Sequence, residues 1–310
     1  MSDWTTFTDP QLLRIAATTA SVPDLDAAEA GYADYLGFVA VERGALGADL
    51  VASWGRPGSA GARFVTMRAA GETDTFVRLV EAPAVAGYRP LTSFGWTAFE
   101  IIVDDVHALA ARLATSPFEI IGAPRPLQFM PSIVAMQAVG PGGECLYFTM
   151  ESGDRESSIL PPPSGFVGRT FITVCAGEDF GAMLRWYVDR FALRERPVRQ
   201  SKVDIIQRAQ RLSSDETIEL SAIGMRQRGN LLELDGYPVG AGRVAGPRPG
   251  DPKMLPPGNA LVTLEIEQLA SVAALAIAPP ARHDGAIYAG RRSCTITGPA
   301  GELLELIEVD

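Results

Sequence analysis

Apolar residues and threonines run almost unbroken from Leu13 to Val22, then fall into helical spacing from Asp24 to Leu36. The first stretch reads as a strand and the second as a helix, with Asp24 as its N-cap and Gly37 as its stop. Strands are predicted at Ala48–Trp54, Ala62–Ala69 and Thr75–Glu81, separated by Gly-rich turns. Phe99–Val103 opens a new strand and Asp105–Leu113 a new helix. Ser132–Ala138 and Glu144–Thr149 supply two more strands, so this half of the chain holds two βαβββ units. A second half repeats the pattern. Strands are predicted at Thr170–Val174, Val203–Ala209, Glu216–Ile223, Asn230–Leu234, Leu261–Ile266, Arg292–Thr297 and Glu302–Glu308. Helices are predicted at Phe180–Phe191 and near Leu269–Ala276.

The pattern breaks at Glu151–Gly165, ESGDRESSILPPPSG, where a polar run meets a triple proline. Proline supports neither helix interior nor ladder, so the segment reads as an exposed linker. It divides the chain into a first domain over 10–150, a linker over 151–165 and a second domain over 166–310. The halves echo each other. GYADYLGF at Gly31–Phe38 matches WYVDRFAL at Trp186–Leu193, aligning Tyr32 with Tyr187 at an offset of 155. GPGGECLY at Gly140–Tyr147 matches GPAGELLE at Gly298–Glu305 at an offset of 158. A nearly constant offset over such a distance indicates an internal duplication.

Composition narrows the function classes. The 310 residues are 47% hydrophobic and 21% charged, which suits globular domains and excludes bulk disorder. The net charge is −10 and Lys202 and Lys253 are the only lysines, so neither nucleic acid nor an anionic membrane surface is an expected partner. No apolar run reaches the length of a membrane span. Met1–Thr6 has neither the basic nor the apolar region of a signal peptide. Cys145, Cys175 and Cys294 are widely spaced and odd in number, which fits buried thiols and a cytoplasmic location.

This arrangement resembles the vicinal oxygen chelate superfamily, which includes glyoxalase I, bleomycin-resistance proteins and two-domain extradiol dioxygenases. The segments that carry the resemblance are VPDLDAAEAGYADYLGF (Val22–Phe38), IIVDDVHALAARL (Ile101–Leu113), GPGGECLYF (Gly140–Phe148) and GPAGELLEL (Gly298–Leu306). The resemblance implies an α+β fold of two tandem glyoxalase-like domains, each of two βαβββ units curled into a half-barrel cup. It also implies a divalent metal held by His, Gln and Glu on the first and last strands of the units. Mapped onto this chain, those places hold Ala17, Ala98 and Tyr147 in the first domain and Arg169, Leu261 and Glu305 in the second. Only Glu305 is a usual ligand, and a d-block ion needs three or four donors. The two histidines, His107 and His283, lie in different halves. No metal and no other cofactor is expected.

The candidate catalytic groups are Arg169, His283 and Glu305. Glu305 reads either as a general base in a desolvated cup or as a salt-bridge partner. Arg169 would stabilise an oxyanion or simply pair with Glu305. Arg282-His283 resembles the Arg-His before the closing strands of extradiol dioxygenases, which implies proton handling; the alternative is an exposed loop histidine. His107, at a helix start, reads as a surface residue. Tyr147, Trp96 and Tyr237 are the candidate ligand-binding residues, with core packing as the alternative for Tyr147 and Trp96. Tyr237–Gly258, rich in proline and glycine, reads as a loop able to cover the second cup. Within it GAGRVAG lacks both the spacing and the strand–helix setting of a dinucleotide turn.

The reading that follows is a metal-independent enzyme acting on a small carbonyl or aromatic compound by proton transfer, of isomerase or lyase type. The alternatives are a non-catalytic binding protein of the bleomycin-resistance type and a metalloenzyme like glyoxalase or the extradiol dioxygenases. The partner is a small-molecule substrate, and a homodimer is left open.

Overall fold

The computed structural model describes residues 10–309. Met1–Thr6, read above for a signal peptide, lies outside the described residues. Four units follow one another. The first comprises β1 (Leu12–Val22), α1 (Leu25–Leu36), β2 (Phe38–Ala45), α2 (Ala48–Ser53), β3 (Arg63–Ala69) and β4 (Phe76–Glu81). The second comprises β5 (Gly95–Val103), α3 (Val106–Leu113), β6 (Glu119–Pro126), β7 (Ile133–Val139) and β8 (Cys145–Glu151). The third comprises β9 (Val167–Gly177), α4 (Phe180–Phe191), β10 (Arg199–Ser201), α5 (Asp204–Gln210), β11 (Ile218–Gly224) and β12 (Leu231–Gly236). The fourth comprises β13 (Gly258–Ile266), β14 (Ala281–Arg282), β15 (Arg292–Thr297) and β16 (Leu303–Glu308), with two short 3₁₀ turns after β13.

The long helices begin as their sequences dictate. Asp24 accepts from the Ala27 N–H, Asp105 from those of His107 and Ala108, and Asp179 from that of Ala182. Each such cap is worth about 1 kcal/mol. Gly37 closes α1 in the left-handed region at φ 71°.

Within each unit the first strand runs parallel to the last, and the other two extend the sheet antiparallel. The units then combine into two eight-stranded sheets, ordered β14-β15-β16-β13-β1-β4-β3-β2 and β10-β11-β12-β9-β5-β8-β7-β6. The joints are antiparallel pairings of β1 with β13 and of β5 with β9. This corrects the expected grouping of units within each half. The first and fourth units share one sheet, here the outer cup, and the second and third share the other, the inner cup. The sequence halves 10–150 and 166–310 are therefore not the two cups. The physical reason is edge satisfaction. Each unit's first strand has an unpaired edge, and the partner that reaches it lies across the linker.

Three expected elements differ. Ala48–Trp54 is the helix α2 and not a strand, because Val51 and Trp54 bury one side of a helical turn. Val203–Ala209 is the helix α5, burying Ile205, Ile206 and Gln210. Near Leu269–Ala276 there are two 3₁₀ turns in place of a helix. There only Leu269 and Val272 are buried, at a spacing that fits three residues per turn. The segment between β8 and β9 has no regular element, as the prolines require, but it is only partly exposed. Ser158 and Leu160 are buried, and Leu160 joins the packing of the inner cup.

The largest core lies behind the two sheets, where α1, α3 and α4 pack on their convex faces. Two cross-unit locks explain the sequence echo. Glu144 accepts from the Tyr32 hydroxyl at 2.9 Å and the Gly142 N–H at 2.8 Å. Glu302 accepts from the Tyr187 hydroxyl at 2.6 Å and the Ala300 N–H at 2.8 Å. Gly140 and Gly298 make room for these carboxylates, since a Cβ on either would stand 2.0 Å from the carboxylate oxygen and displace it from its hydrogen bonds. The repeated Tyr and GPxGE signatures thus mark structural ties between a helix of one unit and a turn of the next.

Candidate functional site

The outer cup is filled by its own chain. Glu305 on β16 is fully buried and lies in register with Thr263 of β13 and Thr295 of β15. Its oxygens accept from Trp54 Nε1 at 2.6 Å, Tyr288 OH at 2.8 Å and Thr263 Oγ1 at 2.7 Å. Arg78 of β4 completes the set at 3.5 Å, the two side chains being 2% and 0% exposed. The same guanidinium donates to Thr19 and Tyr288 and stacks 4.6 Å from the Trp54 ring. Trp54 arrives because α2 drops into the cup, with Leu46, Val51 and Leu255 packed around it. A buried carboxylate is costly alone and tolerable here because a cation and three donors surround it.

Of the candidate catalytic residues, the structure brings together Glu305 and His283 and separates Arg169. His283 lies 5.4 Å, ring to ring, from Tyr288, the donor to Glu305, and its Nε2 is buried without a partner. Arg169 is on β9 of the other sheet. It donates to the Thr170 and Gly229 carbonyls and to Asn230 Oδ1, holding the turn into β12. Of the two readings of Arg169, the pairing with Glu305 is not formed: the arginine beside Glu305 is Arg78. The Pro/Gly-rich segment does not lie over the outer cup alone. Its Gly246 carbonyl accepts from Phe94 N–H, and Pro247–Pro256 flank a cavity between the sheets.

The inner cup differs in kind. In register across its face stand Glu100 with Tyr147 (β5 and β8), Gln137 with Tyr147 (β7 and β8), and Glu233 with Val174 (β12 and β9). Asp235 lies two residues beyond Glu233 on the same face. The walls are Ala98, Ile102, Ile133, Ile172 and Val174, with Ile205 and Ile206 of α5. Glu100 and Glu233 are half-buried, and Asp235 is 1% exposed with Oδ1 unpartnered. Thr149 Oγ1 donates to Glu100 at 2.5 Å. Tyr147 and Tyr237 are buried in this cup, the Tyr237 hydroxyl without a partner. Trp96 is elsewhere: it packs in the core behind the sheets and donates from Nε1 to the Leu303 carbonyl.

Burial sets the acidities. Desolvation pushes Glu100 up to about 7, against the hydrogen bond from Thr149. It pushes Asp235 up to about 8. Glu233 is driven well above the usual carboxylate range by desolvation and then by the charges of Asp235 and Glu100. No cation offsets these shifts. Burial likewise raises the Tyr147 and Tyr237 phenols, so both remain hydrogen-bond donors at neutral pH.

The metal implied by the resemblance fits neither cup. Glu305, the one retained ligand type, is occupied by donors and faces a guanidinium, which repels a cation. The inner cup has Ala98 and Tyr147 at ligand places. Among the described residues no three His, Cys, Asp or Glu side chains come together to hold a metal ion.

Sequence reasoning missed Glu100, Glu233 and Asp235, as it missed Trp54, Arg78 and Tyr288. A usable signal existed. FEIIV, LLELDG and FVRLVE each place a charge inside an apolar strand, and such a charge requires a reason.

No protein-family model matches the sequence, and no curated protein matches it. Solved structures do. Glyoxalase I from Zea mays matches with a TM-score of 0.61 at 16% identity, over 95% of this chain and 92% of that one. A putative dioxygenase from Bacillus subtilis matches with a TM-score of 0.63 at 11% identity, over 96% and 86%. At such identities the likeness is one of fold. The four units paired into two cups share the fold of these two structures, glyoxalase I and the putative dioxygenase.

Proposed function

We propose that the protein is a metal-independent enzyme that moves a proton on a small carbonyl or aromatic compound, of isomerase or lyase type, and that the inner cup is its seat. The observation that carries this reading is the presence of Glu100, Glu233 and Asp235 in one apolar cup with no cation to hold them ionised. Carboxyl groups whose acidities are split around neutrality can serve as base and acid at the same pH. Glu100, the least perturbed, is the base. Its carboxylate takes a proton from carbon next to the substrate carbonyl. The Tyr147 and Tyr237 hydroxyls donate to the enolate oxygen that develops. Protonated Glu233 returns a proton to a second carbon in isomerisation, or to a departing group in elimination. Arg169, His283 and Glu305, singled out by sequence, stand outside this scheme.

The test is solvent exchange. The protein is incubated in D2O with a panel of small ketones, aldehydes and 2-oxo acids, and deuterium uptake is read by mass spectrometry. Wild type exchanges at least one member with EDTA present, and Glu100→Gln loses the exchange. Exchange that requires an added divalent ion would overturn metal independence. Exchange lost in Glu305→Gln but kept in Glu100→Gln would move the seat to the outer cup. A second reading draws on the same carboxyl groups: a non-catalytic cup for an apolar ammonium compound, which their charge would complement. That reading expects saturable amine binding, weakened in Glu100→Gln, with no exchange on any substrate.

A further inference from the structure

One cavity is in neither cup. A space of ≈ 500 Å³ lies between the two sheets, bounded by the start of β5, the N-terminal turn of α4, the Pro/Gly-rich segment and the turn before β16. That size and that setting between packed layers are usual for a small-molecule site. Two guanidiniums line it, Arg56 and Arg248.

Among the described residues neither has a carboxylate partner, in a chain whose net charge is −10. Among the described residues Arg56 donates only to the carbonyl of Gly55, its own neighbour, and its Nε is buried without an acceptor. Burial lowers its pKa, and no acidic group acts to raise it. Arg248 donates only to neutral acceptors, the Ser93 hydroxyl and the carbonyls of Trp96, Pro257 and Asn259. Those bonds hold the Pro/Gly-rich segment in place. Both are half-buried, and two partly desolvated cations without a carboxylate hydrogen-bond partner facing one cavity favour an anion. The apolar part of the wall includes Met183, Pro247 and Pro249. Glu178, Asp179, Asp251 and Glu302 also line the cavity; Glu302 is tied to Tyr187, and the other three disfavour a ligand of several negative charges.

We propose that this cavity binds a small aromatic carboxylate, its anion on Arg56 and its ring against the prolines. The site shares no residue with the inner-cup proposal and stands whether or not that proposal does.

The probe is 1-naphthoate, with neutral 1-naphthamide as the control, titrated calorimetrically into the full chain. Wild type should bind one naphthoate per chain at least tenfold more tightly than naphthamide. Arg56→Met should weaken naphthoate at least tenfold and leave naphthamide unchanged. Ala182→Phe, which fills the cavity without touching either arginine, should abolish binding of both. It also keeps the test available if Arg56→Met does not fold. Glu100→Gln should leave naphthoate binding as in wild type. The proposal is overturned by absent or non-saturable naphthoate binding, or by equal affinity for the two probes. Naphthoate affinity that survives Arg56→Met or Ala182→Phe, or that falls in Glu100→Gln, also overturns it.

Discussion

The two cups share one architecture and treat their buried charge in opposite ways. In the outer cup Glu305 meets Arg78, Trp54, Tyr288 and Thr263, and the space is occupied by protein. In the inner cup Glu100, Glu233 and Asp235 have one side-chain donor among them, Thr149, and no cation. The difference begins with two short helices inserted at the same place in their units, between the second and third strands. α2 sends Trp54 onto the buried carboxylate. α5 brings Ile205 and Ile206, which desolvate their carboxyl groups and offer them no hydrogen bond. A neutralised cup gains stability and loses reactivity; an unneutralised one keeps strained acidities available for chemistry.

The sharpest way to break this comparison is to remove one charge from each cup. Glu305→Gln strands Arg78 and should cost about 3–5 kcal/mol of stability, read by urea unfolding. Whatever protein remains folded should keep its turnover. Glu100→Gln should do the opposite, cutting turnover about 10²–10³-fold. Its stability at pH 8 should hold or rise, because an unpaired carboxylate has been taken out of an apolar site. A Glu100→Gln protein that unfolds while Glu305→Gln loses only activity would invert the assignment.

A smaller effect is expected at Trp54. Trp54→Phe keeps an aromatic ring in the outer cup and removes one donor to Glu305, so it should destabilise by about 1–3 kcal/mol. The D2O exchange rate should be unchanged, since the inner cup is untouched.

The gentlest probe is pH. Glu100 and Glu144 lie at about 7 and Asp235 at about 8 in the folded protein, and Glu233 and Glu302 are also raised. All are higher than in the unfolded chain, so between about pH 4.5 and 8 the folded state binds more protons than the unfolded state. Stability should therefore fall as pH rises through that window. Glu265, held down by Arg14 and Arg291, contributes in the opposite sense and only at acid pH. Combining Glu100→Gln with Asp235→Asn should flatten the neutral part of the slope. A stability profile that instead rises from pH 5 to 8 would contradict the raised acidities.

Much of the fold was legible because it is local. Asp24, Asp105 and Asp179 cap helices where the apolar spacing begins, and the strands that alternate or run apolar are where they read. The segments misread as strands, Ala48–Trp54 and Val203–Ala209, are short apolar runs whose periodicity fits either state, and tertiary burial chose helix. The site was less legible. The most repeated motifs, Tyr32 with Glu144 and Tyr187 with Glu302, turned out to be ties between units.

By itself the sequence determined the opening and closing strands of four units, three of their helices, and residues other than the usual ligands at Ala17, Ala98 and Tyr147; it did not show the inner strands Phe38–Ala45 and Glu119–Pro126. Spacing, capping and residue type are properties of a few neighbouring positions. Only the tertiary structure decided that the first unit pairs with the fourth and the second with the third. That choice brings Trp54 to Glu305 across a separation of 251 residues and leaves Arg169 on the other sheet. A charge's role depends on which groups surround it after burial. The pairing of strand edges far apart in the chain sets those surroundings, and no local pattern encodes it.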